Sequence, residues 1–208
     1  HMTSFGVVAR VRRVLSNQLG HKAKVGHTGT LDPFATGLML IVTGKECKNA
    51  GNYSKLDKVY EATIRLGQTS TTGDPEGDIT DVSDDQPALD EIKTALNQFI
   101  GQIKQKPPIY SAIKIDGQRA YKLARNGEAV EMPERTVTIH SIELISYEYP
   151  LLKIKAHVGS GTYIRTLAED IGSALKTGAY CQELRRTKVG EFDISRAADL
   201  NELISDLR

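Results

Sequence analysis

Only two cysteines, Cys47 and Cys181, occur among the 208 residues, and their spacing fits no metal-ligand motif. That excludes a disulfide scaffold and a zinc module, and it reads as free thiols of an intracellular protein. Long apolar runs are missing as well. The longest, Leu38 to Val42, covers five residues, against the roughly 20 that a helix needs to cross a bilayer. The N-terminus shows no charged stretch followed by an apolar one, so no secretory signal is read and the expected location is the cytoplasm. Glycine-rich nucleotide loops are absent too. No G-x-G-x-x-G occurs, Gly44-Lys45 is followed by Glu46 rather than Ser or Thr, and no glycine sits five residues before Gly44. There is no internal repeat and no low-complexity tract. Between Asp74 and Glu91 there are eight acids and no lysine or arginine.

That last absence hides a surplus elsewhere. Net charge is +1, yet outside the acidic stretch 27 basic residues stand against 18 acidic ones, a surplus of nine. A nucleic-acid surface can lie behind a neutral total, although charge alone fits an ordinary solvated surface equally well. With 39% hydrophobic and 25% charged residues, the chain can build a packed core, and its length suits a single domain over 1–208.

Thr3 or Ser4 can cap a first helix whose apolar face is Val7, Val8, Val11, Val14 and Leu15, ending near Gly20. Val59 to Leu66 alternates, with Tyr60, Ala62, Ile64 and Leu66 on one side, as in a strand with one buried face. The acidic stretch reads as a loop. Leu89, Ile92, Leu96, Phe99 and Ile100 mark an amphipathic helix stopped by Gly101. From Lys104 to Glu134 the pattern is irregular and basic, with Tyr110, Tyr121 and a short helix expected from about Arg119 to Asn126. Val137 to Tyr147 and Leu151 to Val158 read as two strands turned around Pro150. Ile164, Leu167, Ala168, Ile171 and Leu175 form a last helix face, with Thr162 as its expected cap. Strands and helices mix without a βαβ rhythm, which predicts an α+β fold with a largely antiparallel sheet flanked by helices.

Three positions invite chemistry. Asp32-Pro33 fits an N-cap followed by proline at the first helical position, opening a helix through Phe34-Ala35-Thr36. The same carboxylate is also surrounded by Gly26, Gly29 and Gly37, with His27 close by, and glycine turns let a substrate approach the backbone. Arg165 falls in the first turn of its helix, where the dipole disfavours a cation. A nearby carboxylate or phosphate would reverse that penalty, and a side chain reaching solvent would avoid it. Tyr60 alone is an ordinary core tyrosine.

Together these residues carry a resemblance. Val25-Gly-His-Thr-Gly-Thr-Leu-Asp32-Pro-Phe-Ala-Thr-Gly37 resembles the signature motif of the bacterial TruB family, the tRNA pseudouridine-55 synthases. Lys58-Val-Tyr60-Glu-Ala-Thr-Ile-Arg-Leu-Gly67 resembles its tyrosine motif, and Lys106-Pro-Pro-Ile-Tyr-Ser-Ala-Ile-Lys114 its lysine-bearing motif. Gly161-Thr-Tyr-Ile-Arg165 and Leu184-Arg185-Arg186-Thr187 resemble the arginine and leucine motifs, in the family's order.

The resemblance implies a pseudouridine synthase fold with an RNA-gripping insertion at about 104–134; many bacterial members also carry a C-terminal RNA-binding domain, often PUA-like, and no such PUA domain is expected within this sequence. It implies an isomerase that converts the T-loop uridine of tRNA after flipping it from the loop. Asp32 would be the nucleophile, paired with Arg165, while Tyr60 would stack on the target base and serve as a base in the final proton transfer. His27 would fill the stack left by the flipped uridine. Gly29, Thr30, Leu31, Lys48, Lys114, Tyr163 and Leu184 would contact substrate. Lys104, Lys106, Lys114, Arg119, Lys122, Arg125, Arg185, Arg186 and Lys188 are candidate phosphate contacts. No metal, cofactor or protein partner is implied, and the expected state is a monomer acting on the tRNA T-arm. The rival enzyme class, a glycosidase, would need a second carboxylate, for which Asp74 or Asp78 is the candidate.

Overall fold

The computed structural model describes residues 2–109, 111, 114–115, 118–120 and 132–206. Its chain gathers into two compact units, residues 1–60 with 185–208, and residues 61–184. The first elements are α1 (Ser4–Leu19), β1 (Val25–His27), β2 (Thr36–Gly37), β3 (Ile41–Thr43), α2 (Ala50–Ser54) and β4 (Lys58–Leu66). Then come β5 (Gln68–Ser70), β6 (Ile79–Asp81), α3 (Leu89–Gln98), β7 (Gly101–Gln105), β8 (Lys114–Ile115) and β9 (Gln118–Arg119). The long strands β10 (Arg135–Glu148) and β11 (Leu151–Val158) precede α4 (Ile164–Ala174) and β12 (Ala179–Val189), and β13 (Phe192–Asp193) and α5 (Leu200–Asp206) close the chain. Strands β4 and β12 each pass from one unit into the other.

In the first unit α1 starts and stops where its residues dictate. The Thr3 hydroxyl accepts the Gly6 N–H at 3.1 Å, and Gly20 ends the helix at φ 69°. Val8 and Val11 pack with Ala23 and Val25, joined by Leu15, Ile41 and Leu200. Strand β1 pairs antiparallel with β3, so His27 lies opposite Ile41. The stretch between them is not the helix that Asp32-Pro33 suggests. A single turn closes when the Ala35 N–H donates to the Asp32 carbonyl at 3.0 Å. Thr36 and Gly37 then pair with Arg185 and Arg186 of β12, parallel, which pulls the chain out of helical geometry.

In the second unit the sheet order is β12-β4-β11-β10-β7. Strand β10 is antiparallel to both β11 and β7, and the turn between β10 and β11 holds the cis Tyr149–Pro150 bond. With the parallel β2–β12 pair, the sheet is mixed and the fold α+β. Ile64, Leu66, Ile139, Leu152, Ile154, Leu167 and Ile171 are fully buried. Helix α3 packs against β10 and α4.

Two expectations need correction. Part of the acidic stretch is ordered as the β5–β6 hairpin, in which Ser70 pairs with Ile79. The cap of α4 is Tyr163, in extended conformation, because the Thr162 hydroxyl is committed to the Gly159 carbonyl at 2.9 Å. Arg119, about where a helix is expected to start, closes the β8–β9 hairpin, and Ala120 after it is helical. The rest of that expected helix, from residue 121, and Tyr110 and Tyr121 lie outside the described residues.

Candidate active site

Asp32 sits in a loop that is fastened at three points. Upstream, the buried Ser4 hydroxyl, first residue of α1, accepts the Leu31 N–H at 2.9 Å and donates to the Leu31 carbonyl at 3.2 Å. Downstream, Thr28 N–H meets the Leu40 carbonyl at 3.2 Å, closing the loop's neck. The third fastening is Arg186. Its Nε donates to the Leu38 carbonyl at 2.8 Å, Nη2 to Gly29 at 3.1 Å and Nη1 to Thr30 at 3.3 Å. Its own backbone carbonyl takes the Leu38 N–H at 2.8 Å. Gly37 (φ 102°) is obligatory here, because a Cβ would collide with the Arg186 backbone. Asp32 itself is partly exposed.

Arg186 is 2% exposed, so it is no phosphate contact. Its charge also acts on the Tyr60 phenol. Burial pushes the Tyr60 phenol above its usual value; Arg186 works against that and the Asp32 charge with it. Tyr60 is therefore a neutral phenol near pH 7. His27 is held below the usual imidazole range, first by burial and then by the Arg186 charge, so its ring is uncharged near pH 7. Among the described residues its buried Nδ1 meets no hydrogen-bond partner. Lys58 is buried and donates to the Ser54 and Leu56 carbonyls, capping the end of α2. Thr30 and Lys48 are exposed, and Gly29 and Leu31 are partly so.

In the second unit Arg165 does not reach for solvent. Its Nη1 bonds the Thr72 carbonyl at 2.8 Å and the Asp74 carboxylate at 3.0 Å, with side chains 4% and 5% exposed. Asp74 is further held by the Thr72 hydroxyl at 2.6 Å and the Glu76 N–H at 3.0 Å. A carboxylate so engaged is no general acid for a glycosidase. Nothing in the acidic run marks Asp74 apart from its neighbours as a partner for Arg165, so that pairing is not legible in the sequence. The Tyr163 backbone is gripped on both sides by the buried Gln105 amide, at 3.1 and 3.2 Å. Leu184 is buried. Asp170, one residue past Glu169 on α4, is pushed up to about 6 by burial.

Of the remaining candidate phosphate contacts, Lys104, Lys106, Arg185 and Lys188 are exposed. Lys114 and Arg119 lie in strands whose side chains, like Lys122 and Arg125, fall outside the described residues. Arg185 and Arg186 differ because successive strand residues point to opposite faces. The same alternation puts Leu184 and Arg186 on one side, the available signal for Arg186.

A family model described as TruB family pseudouridylate synthase (N terminal domain) matches residues 12–164. One described as tRNA pseudouridylate synthase B C-terminal domain matches residues 165–207. Among curated proteins, tRNA pseudouridine synthase B of Phocaeicola vulgatus is 47% identical over 191 residues, 91% of this chain and 81% of that protein. Its counterpart in Azoarcus sp. (strain BH72) is 45% identical over 205 residues, 97% of this chain but 66% of that protein. In Burkholderia mallei the identity is 45% over 188 residues, 90% of this chain and 62% of the relative. Thus the chain spans less than two thirds of the length of two of these three. Among solved structures, a chain of a Cbf5-Nop10-Gar1 complex superposes with TM-score 0.74 at 28% identity, covering 98% of this chain and 50% of that one. A chain of an H/ACA RNP bound to a substrate RNA containing 2′-deoxyuridine gives 0.71 at 26%, covering 98% and 49%.

Proposed function

The chain belongs to the TruB family of pseudouridylate synthases, and from that premise we propose that it isomerises the T-loop uridine of tRNA, uridine-55, to pseudouridine. The observation that carries the reading is the Asp32 loop, held by Ser4 and Arg186 on both sides of a partly exposed carboxylate. A nucleophile needs that combination of fixed backbone and accessible oxygen.

On this reading the Asp32 carboxylate attacks an electron-poor carbon of the nucleotide and the N1–C1′ bond breaks. The detached uracil turns, C5 bonds to C1′, the bond to Asp32 breaks so that its carboxylate is restored, and the C5 hydrogen leaves as a proton while N1 regains one. Atoms and charge balance without a redox partner. Tyr60 stacks on the base, and Arg165 keeps Asp32 ionised and oriented. The neutral His27 ring fills the gap left by the flipped nucleotide. Tyr163 and Leu184, with Gly29, Thr30, Leu31, Lys48 and Lys114, contact the substrate. The 104–134 segment grips the T-arm, and the protein acts as a cytoplasmic monomer without cofactor or protein partner. No helix among the described residues is long and apolar enough to cross a membrane.

Transcript tRNA carrying tritium at uridine C5 tests this reading, because isomerisation releases that label to water. Release by the parent protein and none by Asp32→Asn, with tRNA binding retained, is the expected result. Binding without release by either protein would leave an RNA-binding protein that does no chemistry.

A further inference from the structure

We propose that Arg186 is a positioning residue for the reaction, holding the Asp32 loop and the Tyr60 phenol in one fixed relation. The proposal rests on the reading that Asp32 does the chemistry. Three of its bonds go to carbonyls on both sides of that residue: Gly29 and Thr30 before it, Leu38 after it. Its charge also favours ionisation of the Tyr60 phenol on the neighbouring strand. Few ways exist to join a loop's two flanks and a neighbouring strand with one side chain. The guanidinium does so because its nitrogens diverge in a plane, which an ammonium on a flexible stem cannot match.

The setting argues against the two simpler roles. A phosphate contact needs surface, and Arg186 is buried while its neighbour Arg185 is exposed. A packing residue needs no charge. Burying a cation against carbonyl dipoles is costly, and a neutral side chain would fill the same space. What the charge adds is a fixed positive field beside the Tyr60 phenol and the His27 ring. The glycine at 37 belongs to the same device, since only a residue without Cβ lets β2 approach the Arg186 backbone closely enough for the side chain to reach back over the loop.

Parent, Arg186→Lys and Arg186→Gln are compared by tritium release over a range of tRNA concentrations, with rates referred to folded protein by circular dichroism. Loss of kcat by about tenfold or more in Arg186→Lys, and about a hundredfold or more in Arg186→Gln, with KM within about threefold, is expected. A parent-like kcat in Arg186→Lys overturns the proposal, and so does a loss confined to KM, which would make Arg186 a tRNA-binding residue. The second readout needs no activity. Tyrosinate absorbance against pH, in the parent and in Arg186→Gln, is read against the same proteins carrying Tyr60→Phe, so that only the Tyr60 phenol remains. Its ionisation moves to higher pH when the cation is removed; an unchanged midpoint overturns the proposal. If Arg186→Gln does not fold, Arg186→Lys kinetics still decide. A parent inactive on every tRNA sinks the functional reading instead, and the titration then decides for Arg186 alone.

Discussion

Asp170 shows how burial writes itself into pH dependence at a single residue. Its carboxyl is pushed up to about 6 by loss of water. The folded state therefore keeps a proton that the unfolded chain gives up near pH 4, and stability falls as pH rises between those values. Asp170→Asn removes the penalty. Thermal melts are expected to show the variant above the parent at pH 7 and level with it at pH 4. An equal difference at both values would mean that packing, not ionisation, is at work. Asp74 is the opposite case, a carboxylate whose burial is matched by a cation and two further hydrogen-bond donors. Removing one member of a buried pair strands the other, so Asp74→Ala is expected to cost about 3–5 kcal/mol in urea unfolding. A cost below about 1 kcal/mol would show that the pair is solvated.

Among elements, α1 and the β2–β12 pair do more for the site than their size suggests. Ser4 begins α1 and bonds both backbone groups of Leu31, so the helix N-terminus is tied to the Asp32 loop. Ser4→Ala leaves both groups unsatisfied and is expected to cost about 1–3 kcal/mol, with kcat lowered more than KM. A drop in KM alone would contradict this coupling. Regular periodicity made α1, β4, α3, β10, β11 and α4 legible from sequence, because burial imposes periods of 3.6 and 2 on any chain. The Asp32 loop was misread in structure, since Asp-Pro is a sound helix opening and only pairing with β12, some 150 residues on, overrides it. The family motifs singled out Asp32, Tyr60 and Arg165 as candidates. The supports, Ser4, Asp74, Gln105 and Arg186, were not legible. Their side chains act through contacts far along the chain, and apart from the alternation that sets Arg186 on the side of Leu184, no local pattern separates them from ordinary polar residues.

Charge belongs to the whole molecule. The near-neutral total conceals a surplus of nine basic residues outside the acidic run, and Lys104, Lys106, Arg185 and Lys188 are exposed. If they meet phosphates, tRNA affinity falls steeply with salt, and each charge removed lowers the slope of log K against log salt by roughly 0.7–0.9. Arg185→Gln with Lys188→Gln should therefore flatten the slope by about 1.5, measured by filter binding from 50 to 200 mM KCl. An unchanged slope would place the tRNA elsewhere. The most direct measurement of the central claim maps the product. Unmodified tRNA is incubated with the parent and with Asp32→Asn, treated with carbodiimide and read by primer extension. A stop at the T-loop uridine with the parent and none with the variant is the predicted result. The same stop with Asp32→Asn would contradict the assignment of Asp32 as nucleophile, and a stop at another position would contradict the substrate.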